Sequence, residues 1–266
     1  MNIVIPIEPI AEQVGQNNAQ AYSYVEPARP ADLRTIEGKP WLEYVMDALP
    51  PQEYGRFIFT VPESCQRMLF LGELIRLHRP GAEVRIVPDG AKGPACAVLM
   101  ASEHLATEEL CIVPGNQLLR CDLREVLDEL RRSPADAGAV VFDSLHPRWP
   151  HIQLDDDGKV MEVSETSLLS RRALAGIYYF RRGADFLRAV EQVIRKDNHV
   201  QGKFGLAQTL NELVLAGKQI SCCTIAAEDF IPLYTGADFG ELPHLSPRPN
   251  MSEHRPPQFR VFSPLA

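Results

Sequence analysis

The sequence predicts an α/β fold with a Rossmann-like, mostly parallel β-sheet that is flanked by helices and followed by a β-hairpin. Short β-branched segments alternate with helical segments as far as Asp143, an arrangement typical of βαβ units. After Asp143 the pattern changes to two short strands around an acidic turn. The chain has 266 residues, of which 45% are hydrophobic, so it can bury the core of such a domain.

The alternating region is assigned from the spacing and the boundaries of its apolar residues. One helix is expected directly after Pro40, which fits a helix start. The helix over 122–132 has an apolar face formed by Leu123, Val126, Leu127 and Leu130. The predicted strands of this region are 2–7, 56–61, 83–87, 110–113 and 138–142. The predicted helices are 41–49, 63–78, 94–105 and 122–132.

The second part of the chain begins with the hairpin, whose strands 152–154 and 160–163 flank an Asp-Asp-Asp-Gly turn. A strand over 173–180, helices over 184–195 and about 205–215, and a strand over 219–225 follow. Gly217 fits the end of the second helix. Prolines recur after Phe230. We therefore expect an α/β domain over 1–230 and a Pro-rich C-terminal extension over 231–266.

Composition and charge exclude several classes of function. The formal net charge is −8, and without a Lys/Arg stripe we expect no nucleic-acid partner. No segment approaches the ~20 apolar residues of a membrane helix, so we expect no membrane association. Six cysteines occur without a C-x-x-C pair, which favours buried thiols in a reducing compartment. The expected location is the cytoplasm.

A long polar segment over 8–34 interrupts the alternation. It is almost free of glycine and lacks helical or strand periodicity. It follows the first strand, where sheets of this type place their phosphate-binding turn. A connection of this length is either functional or mobile, and the sequence leaves both interpretations open.

Seven short segments, taken together, resemble the sugar-phosphate nucleotidyltransferases, also called nucleotide-sugar pyrophosphorylases. They occur in the order and with the spacing of that family over about residues 1–240. They are residues 1–6, IEGKP at 36–40, LEYV at 42–45, GPACAVL at 93–99, the Trp149 to Val163 region, GIYYF at 176–180 and NEL at 211–213.

The resemblance implies a GT-A-type Rossmann-like fold and the joining of a sugar 1-phosphate to a nucleoside triphosphate with release of pyrophosphate. It places the nucleotide at Gly93, Pro94, Ala95 and Asn116, and the sugar at Glu165 and Gly176. It further implies Mg²⁺ as cofactor and a homodimer as the assembly. Gly93 and Gly176 are equally explained by a βα turn and by close backbone packing.

The chain departs from the family pattern at the groups that hold phosphate and metal. The glycine-rich turn G-x-G-x-R is replaced by PIAEQ at 9–13, and the phosphate-binding lysine corresponds to Ala31. The first metal-binding aspartate corresponds to Asn116, and the lysine after Glu165 is Thr166. The second metal aspartate falls near Tyr234, with Asp238 as a substitute candidate.

These departures leave two classes of function. The first is a catalytically impaired or inactive relative, from the metabolism of nucleotide sugars and surface polysaccharides, that binds a nucleotide sugar or sugar phosphate or regulates an active partner. The second is an active nucleotidyltransferase with a rebuilt site, in which Arg29, Arg34 or Lys39 replaces the missing cation. Losing several charge-stabilising groups together favours the first class.

Other polar groups have simpler explanations than ligand binding. The acidic turn 155–158 lacks the ligand spacing of an EF-hand and is expected to be a solvated hairpin turn. His146 and His151 have no known metal-ligand spacing. The pairs Arg171-Arg172 and Arg181-Arg182 are compatible with a phosphate clamp, although surface charge is the favoured interpretation.

Overall fold

The computed structural model of the chain describes residues 1–8, 35–36, 39–156 and 158–232. The helices are α1 (Trp41–Ala48), α2 (Glu63–Leu69), α3 (Leu71–His78), α4 (Pro94–Leu99), α5 (Ser102–Leu105), α6 (Leu123–Arg132), α7 (Gly183–Arg195) and α8 (Ala207–Leu215). The strands are β1 (Asn2–Pro6), β2 (Thr35–Ile36), β3 (Lys39–Pro40), β4 (Arg56–Pro62), β5 (Glu83–Val87), β6 (Leu110–Ile112), β7 (Gln117–Leu119), β8 (Ala137–Asp143), β9 (His151–Leu154), β10 (Val160–Ser164), β11 (Arg172–Phe180), β12 (Ile220–Thr224) and β13 (Phe230–Pro232).

The central sheet is mixed and mostly parallel. Its strands run in the order β5-β4-β1-β6-β11-β8-β12, and β11 is antiparallel to both of its neighbours. The strands β5, β4, β1 and β6 are parallel, as are β8 and β12. The hairpin β9-β10 continues the sheet beside the first half of β11. The predicted α/β fold with a hairpin is therefore confirmed.

Apolar side chains alternate between the two faces of the sheet and build a core on each side. In β1, Ile3 and Ile5 point into one core, which α1, α3 and α6 cover. Val4 points into the opposite core, which α4, α5, α7 and α8 cover. Because successive strand residues face opposite sides, a strand buried on both faces reads as a continuous apolar run.

Two predicted helices are in fact interrupted. The predicted helix 63–78 is broken at Phe70, whose backbone is left-handed with φ 52° and ψ 38°. There the Gln66 side chain accepts a hydrogen bond from the Gly72 N–H at 2.7 Å, which stabilises the break. The predicted helix 94–105 also divides, because α4 ends at Leu99 and α5 starts at Ser102.

Short pairings between distant segments were not predicted. Residues of β7 pair antiparallel with β13, and Leu118 lies opposite Ile231. The paired residues of β13 lie on both sides of the predicted boundary between residues 230 and 231. The division into a domain over 1–230 and an extension over 231–266 stays a prediction. Within the part of the chain that the structure describes, no helix combines the length and the apolar character that crossing a membrane requires.

Candidate functional site

The candidate site lies at the carboxyl ends of the parallel strands, where open α/β sheets bind ligands. Glu8 follows β1, and Asn116 follows β6. Glu165 follows β10 and comes close enough to Glu8 for their charges to interact. The topology therefore places these polar side chains just beyond the ends of three strands, and the carboxyls of Glu8 and Glu165 interact.

Glu8, Glu165 and Gln208 form a polar group that we call the acceptor cluster. Burial raises the pKa of Glu165 to about 7; a hydrogen bond from the Gln208 side chain opposes this rise, and the charge of Glu8 adds to it. Burial also raises the pKa of Glu8, against the opposing charge of Lys203. The cluster thus holds two carboxyl groups that ionise with difficulty next to each other.

The space around the Glu165 carboxyl is tight. A Cβ on Gly205 would overlap Oε1 of both Glu165 and Gln208, so both oxygens lie against the same backbone position. Gln208 is only 6% exposed, and its Oε1 has no hydrogen-bond partner among the described residues. A buried acceptor of this kind is costly without a donor.

The side chain of Asn211 fixes Glu165 relative to Gln208. Its Oδ1 accepts the Val163 N–H at 2.8 Å, and its Nδ2 donates to the Val163 carbonyl at 2.7 Å. Asn211 therefore pairs with the outer edge of β10 as another strand would. Because Asn211 and Gln208 are three residues apart on α8, they share a helix face, and Gln208 is brought to Glu165.

The turn at Gly93, Pro94 and Ala95 is held against the segment that precedes α8. Phe204 donates its N–H to the Lys92 carbonyl at 2.8 Å and accepts the Ala95 N–H at 3.2 Å. Gly93 has φ 95°, and a Cβ there would lie 2.7 Å from the Phe204 carbonyl oxygen. The chain requires glycine here for backbone packing, whether or not a nucleotide base contacts the turn.

The segment around Asn116 packs against Gly176. Gly176 has φ 76° and lies where the pairing of β11 with β8 shifts register. A Cβ there would lie 3.0 Å from Oε1 of Gln117, whose Nε2 donates to the Ala175 carbonyl. Asn116 is 7% exposed, and its Oδ1 lacks a partner among the described residues. That oxygen is available to a donor.

The described residues do not fit a Mg²⁺ site. Asn116 supplies a neutral oxygen where the resemblance implies a carboxylate, and Mg²⁺ in proteins is usually bound through carboxylates. Across residues 1–8, 35–36, 39–156 and 158–232, no three His, Cys, Asp or Glu side chains converge as metal ligands. Asp238 lies outside the described residues. We therefore derive no step through Mg²⁺.

The arginine pairs have partners within the protein. Arg171 binds Asp143 through two hydrogen bonds of 2.7 and 3.1 Å. Arg181, at the opposite end of β11, donates to the Ala135 carbonyl at 3.0 Å. Because the two pairs lie at opposite ends of one strand, they do not converge on one phosphate.

Two further predicted groups take part in local structure. Nε2 of His151 lies 3.2 Å from the His146 carbonyl oxygen, so the two histidines are joined through the backbone of His146. Asp155 accepts the Lys159 N–H at 2.8 Å and so closes the hairpin, as expected for a turn.

Sequence reasoning did not single out three residues of the site. Glu8 was seen only as the start of the polar segment, although an acidic residue at that position is itself a signal against phosphate binding. Lys203 and Gln208 belong to no motif. Their proximity to Glu165 follows from the packing of α8 and could not be read from spacing.

The fold is shared with solved nucleotidyltransferase structures. A nucleoside-diphosphate-sugar pyrophosphorylase from Vibrio cholerae superimposes with a TM-score of 0.68 at 18% identity, covering 90% of this chain and 98% of that one. HddC from Yersinia pseudotuberculosis, complexed with GMP-PN, gives 0.58 at 15% identity, with 90% and 96% covered. The inositol-1-phosphate CTP transferase from T. maritima gives 0.58 at 14% identity, with 89% and 90% covered.

At these sequence identities the structural similarity establishes only the fold. It confirms the predicted resemblance to the nucleotidyltransferases at the level of the fold. A scan against protein-family models gave no match, and neither did a search of curated proteins. Ligand and activity must therefore be argued from the residues of this chain.

The raised pKa of Glu165 predicts that stability falls as the pH rises. Between its ordinary pKa of 4.5 and about 7, the folded state binds more protons at this carboxyl than the unfolded state does. Stability is therefore lost across that window. We expect Glu165→Gln to remove this loss, which amounts to about 3 kcal/mol when complete. Urea unfolding at pH 5 and pH 8 measures it.

The matched control for this prediction is Glu162→Gln, since Glu162 lies on β10 three residues before Glu165 and is exposed. This variant should follow the wild-type pH profile. If Glu165→Gln and wild type lose the same free energy of unfolding between pH 5 and pH 8, the pKa of Glu165 is not raised in the folded state.

The close approach at Gly93 predicts a large loss of stability for Gly93→Ala. The Cβ would collide with the Phe204 backbone, and φ 95° is unfavourable for alanine. We expect a decrease of about 2 kcal/mol or more in the free energy of unfolding. Gly90→Ala in the same loop is the control, because nothing lies within 4 Å of its Cβ position. Equal effects of the two variants would contradict the prediction.

Proposed function

We propose that this chain binds a nucleotide sugar or sugar phosphate at the carboxyl edge of its sheet and is impaired or inactive as a pyrophosphorylase. One observation carries the proposal: Glu8, which follows β1 where the resemblance implies the phosphate-binding turn, brings a second carboxyl close enough to Glu165 for their charges to interact. Carboxylate oxygens accept hydrogen bonds from sugar hydroxyls, whereas their charge repels phosphate oxygens.

In this proposal the two halves of the site bind different parts of the ligand. The turn Gly93-Pro94-Ala95 and Asn116 lie on the nucleotide side, and the unpartnered Asn116 oxygen accepts a donor of the base. Glu165 and Gly176 lie on the sugar side. HddC, which shares the fold, was complexed with the nucleotide GMP-PN, and this supports a nucleotide half.

The missing groups account for weak or absent turnover. Nucleotidyl transfer depends mainly on positioning and on electrostatic stabilisation of phosphate. Removing one preorganised donor typically costs about 10²–10³ in rate, although effects within one site need not multiply. This chain has proline and glutamate among residues 9–13, where the resemblance implies a glycine-rich turn, and Ala31 where it implies lysine.

A rebuilt active site is the alternative, and one of its candidate cations is already engaged. The Lys39 ammonium hydrogen-bonds Asp47 and lies 4.7 Å from the centre of the Tyr44 ring. Arg29 and Arg34 lie outside the described residues.

On the proposed function the protein acts as a cytoplasmic homodimer in nucleotide-sugar and surface-polysaccharide metabolism. It acts there as a binder or as the regulatory partner of an active relative.

A ligand panel tests the proposal by thermal unfolding. It contains nucleoside triphosphates, sugar 1-phosphates and nucleotide sugars, each with and without Mg²⁺. We expect nucleotide sugars or sugar phosphates to stabilise without Mg²⁺, by about 2.7 kcal/mol at 100 times the dissociation constant. Stabilisation by a triphosphate only when Mg²⁺ is present would instead support the rebuilt active site. No stabilisation by any ligand would refute binding at this site.

Restoring one carboxylate should not restore catalysis. We expect Asn116→Asp to release pyrophosphate no faster than wild type, because the phosphate-binding turn and the lysine are still missing. A coupled pyrophosphate-release assay measures this, with the exposed Asn198→Asp as a control for added charge. Robust turnover by Asn116→Asp would show that the site needs only this metal ligand.

A further inference from the structure

We propose that two copies of this chain join through the edge strand β5, so that their sheets become one continuous sheet across a twofold axis at Val84. The partner is therefore a second copy of this chain, paired antiparallel with β5. This interface is the homodimer contact that the proposed function leaves unassigned, and it depends on no ligand.

The strand β5 ends the central sheet on one side. Among the residues that the structure describes, it pairs with β4 alone, so alternate backbone N–H and C=O groups of β5 point away from the sheet. The strand Glu83–Val87 contains no proline, and proline is one of the devices that protect natural sheet edges from pairing. The backbone of β5 can therefore accept a further strand.

A groove of about 380 Å³ runs along this edge. Its lining consists of three consecutive residues of β5 and three residues at and after the end of α4, namely Val84, Arg85, Ile86, Met100, Ser102 and Glu103. Because successive strand residues face opposite sides, a groove that touches three in a row lies at the edge of the strand and not on one face. Ile86 is 42% exposed and Met100 is 46% exposed. Pairing with a strand removes part of this apolar surface from water.

The charges of β5 are complementary to a second copy of the same strand. Glu83 and Arg85 share one face of the sheet, and their carboxylate and guanidinium lie 3.3 Å apart. In an antiparallel pair centred on Val84, Glu83 of one copy lies opposite Arg85 of the second copy, and the twofold axis forms this pair twice. Opposite charges at such positions are stabilising. Arg85 also contacts Glu103, and a guanidinium has enough donors for both carboxylates.

The neighbouring registers lack this complementarity. Residues that face each other across an antiparallel pair project from the same side of the sheet, so a twofold axis must pass through a residue that faces its own copy. A centre at Glu83 or at Arg85 places that charge opposite itself. A centre at Ile86 places Glu83 opposite Asp89. Like charges that face each other are destabilising, and the charges of β5 therefore favour the Val84 centre.

Sedimentation velocity of the full chain without ligand, over a concentration series, tests the interface. We expect the wild type to dimerise reversibly. Glu83→Arg places arginine opposite arginine, and Arg85→Glu places glutamate opposite glutamate, so each variant alone should dimerise about tenfold or more weakly. An equal mixture of the two variants restores both opposite-charge pairs. The mixture should therefore form a heterodimer with nearly the affinity of the wild-type dimer.

Two further variants control for charge and for folding. Glu228→Arg reverses an exposed charge outside β5 and its groove and should dimerise as the wild type does. Circular dichroism verifies that each variant is folded. Met100→Glu alters an exposed apolar side chain of the groove, should also weaken the dimer, and decides the question if a charge-reversed variant does not fold.

The results that overturn the inference are specific. A monomeric wild type overturns it, and so does a dimer that persists in both folded charge-reversed variants or that mixing them does not restore. The ligand panel on the same protein separates this inference from the proposed function. A monomer that nucleotide sugars stabilise refutes the interface and leaves ligand binding in place. A dimer with the expected charge dependence that no ligand stabilises supports the interface and refutes binding at the site.

Discussion

The backbone of Phe204 is the contact on which the candidate site depends. Its two hydrogen bonds, to Lys92 and Ala95, join the loop after β5 to the start of α8. The Phe204 side chain is buried in the core that α7 and α8 cover, so this junction is anchored by apolar burial as well. Because Lys203 and Gly205 flank it directly, any shift of the junction would displace the residues that surround Glu165.

A second constraint acts on the surroundings of Glu165 from the side of β10. Asn211 pairs with the backbone of Val163, so β10 and α8 cannot slide past each other without losing two partly buried hydrogen bonds. Between these anchors the Glu165 carboxyl lies against Gly205 and Gln208. Its raised pKa is therefore a consequence of the fold: two rigid attachments keep a carboxyl in a place where its charge is poorly solvated.

The sequence predicted those features that depend on local pattern. Apolar alternation around Ile3 and Ile5 identified β1, and the spacing of Leu123 and Val126 identified α6. It did not predict the break at Phe70, because a phenylalanine rarely adopts left-handed backbone. Nor did it predict the pairing of β7 with β13, since each strand contributes three residues and carries no pattern of its own.

The same distinction between local sequence pattern and tertiary packing applies to the site. The order of the motifs predicted Glu165 and Gly176 as site residues, because both lie in segments with recognisable neighbours, and that assignment stays a prediction. Gln208 and Lys203 enter the site only through tertiary packing, where a helix face and a loop are brought to a strand end. Glu8 lies between these cases: its position after β1 was visible in the sequence, but its closeness to Glu165 was not.

The distribution of retained and missing groups gives the site a consistent electrostatic character. On the phosphate side of the proposed site, the chain lacks the glycines and the lysine that the family resemblance implies. On the sugar side, it keeps Glu165 and adds Glu8. At an effective dielectric constant of about 20, two unit charges 4 Å apart interact by about 4 kcal/mol. When ionised, a carboxylate pair therefore disfavours a triphosphate and favours ligands rich in donors, and on the proposed function this is the physical reason for binding without turnover.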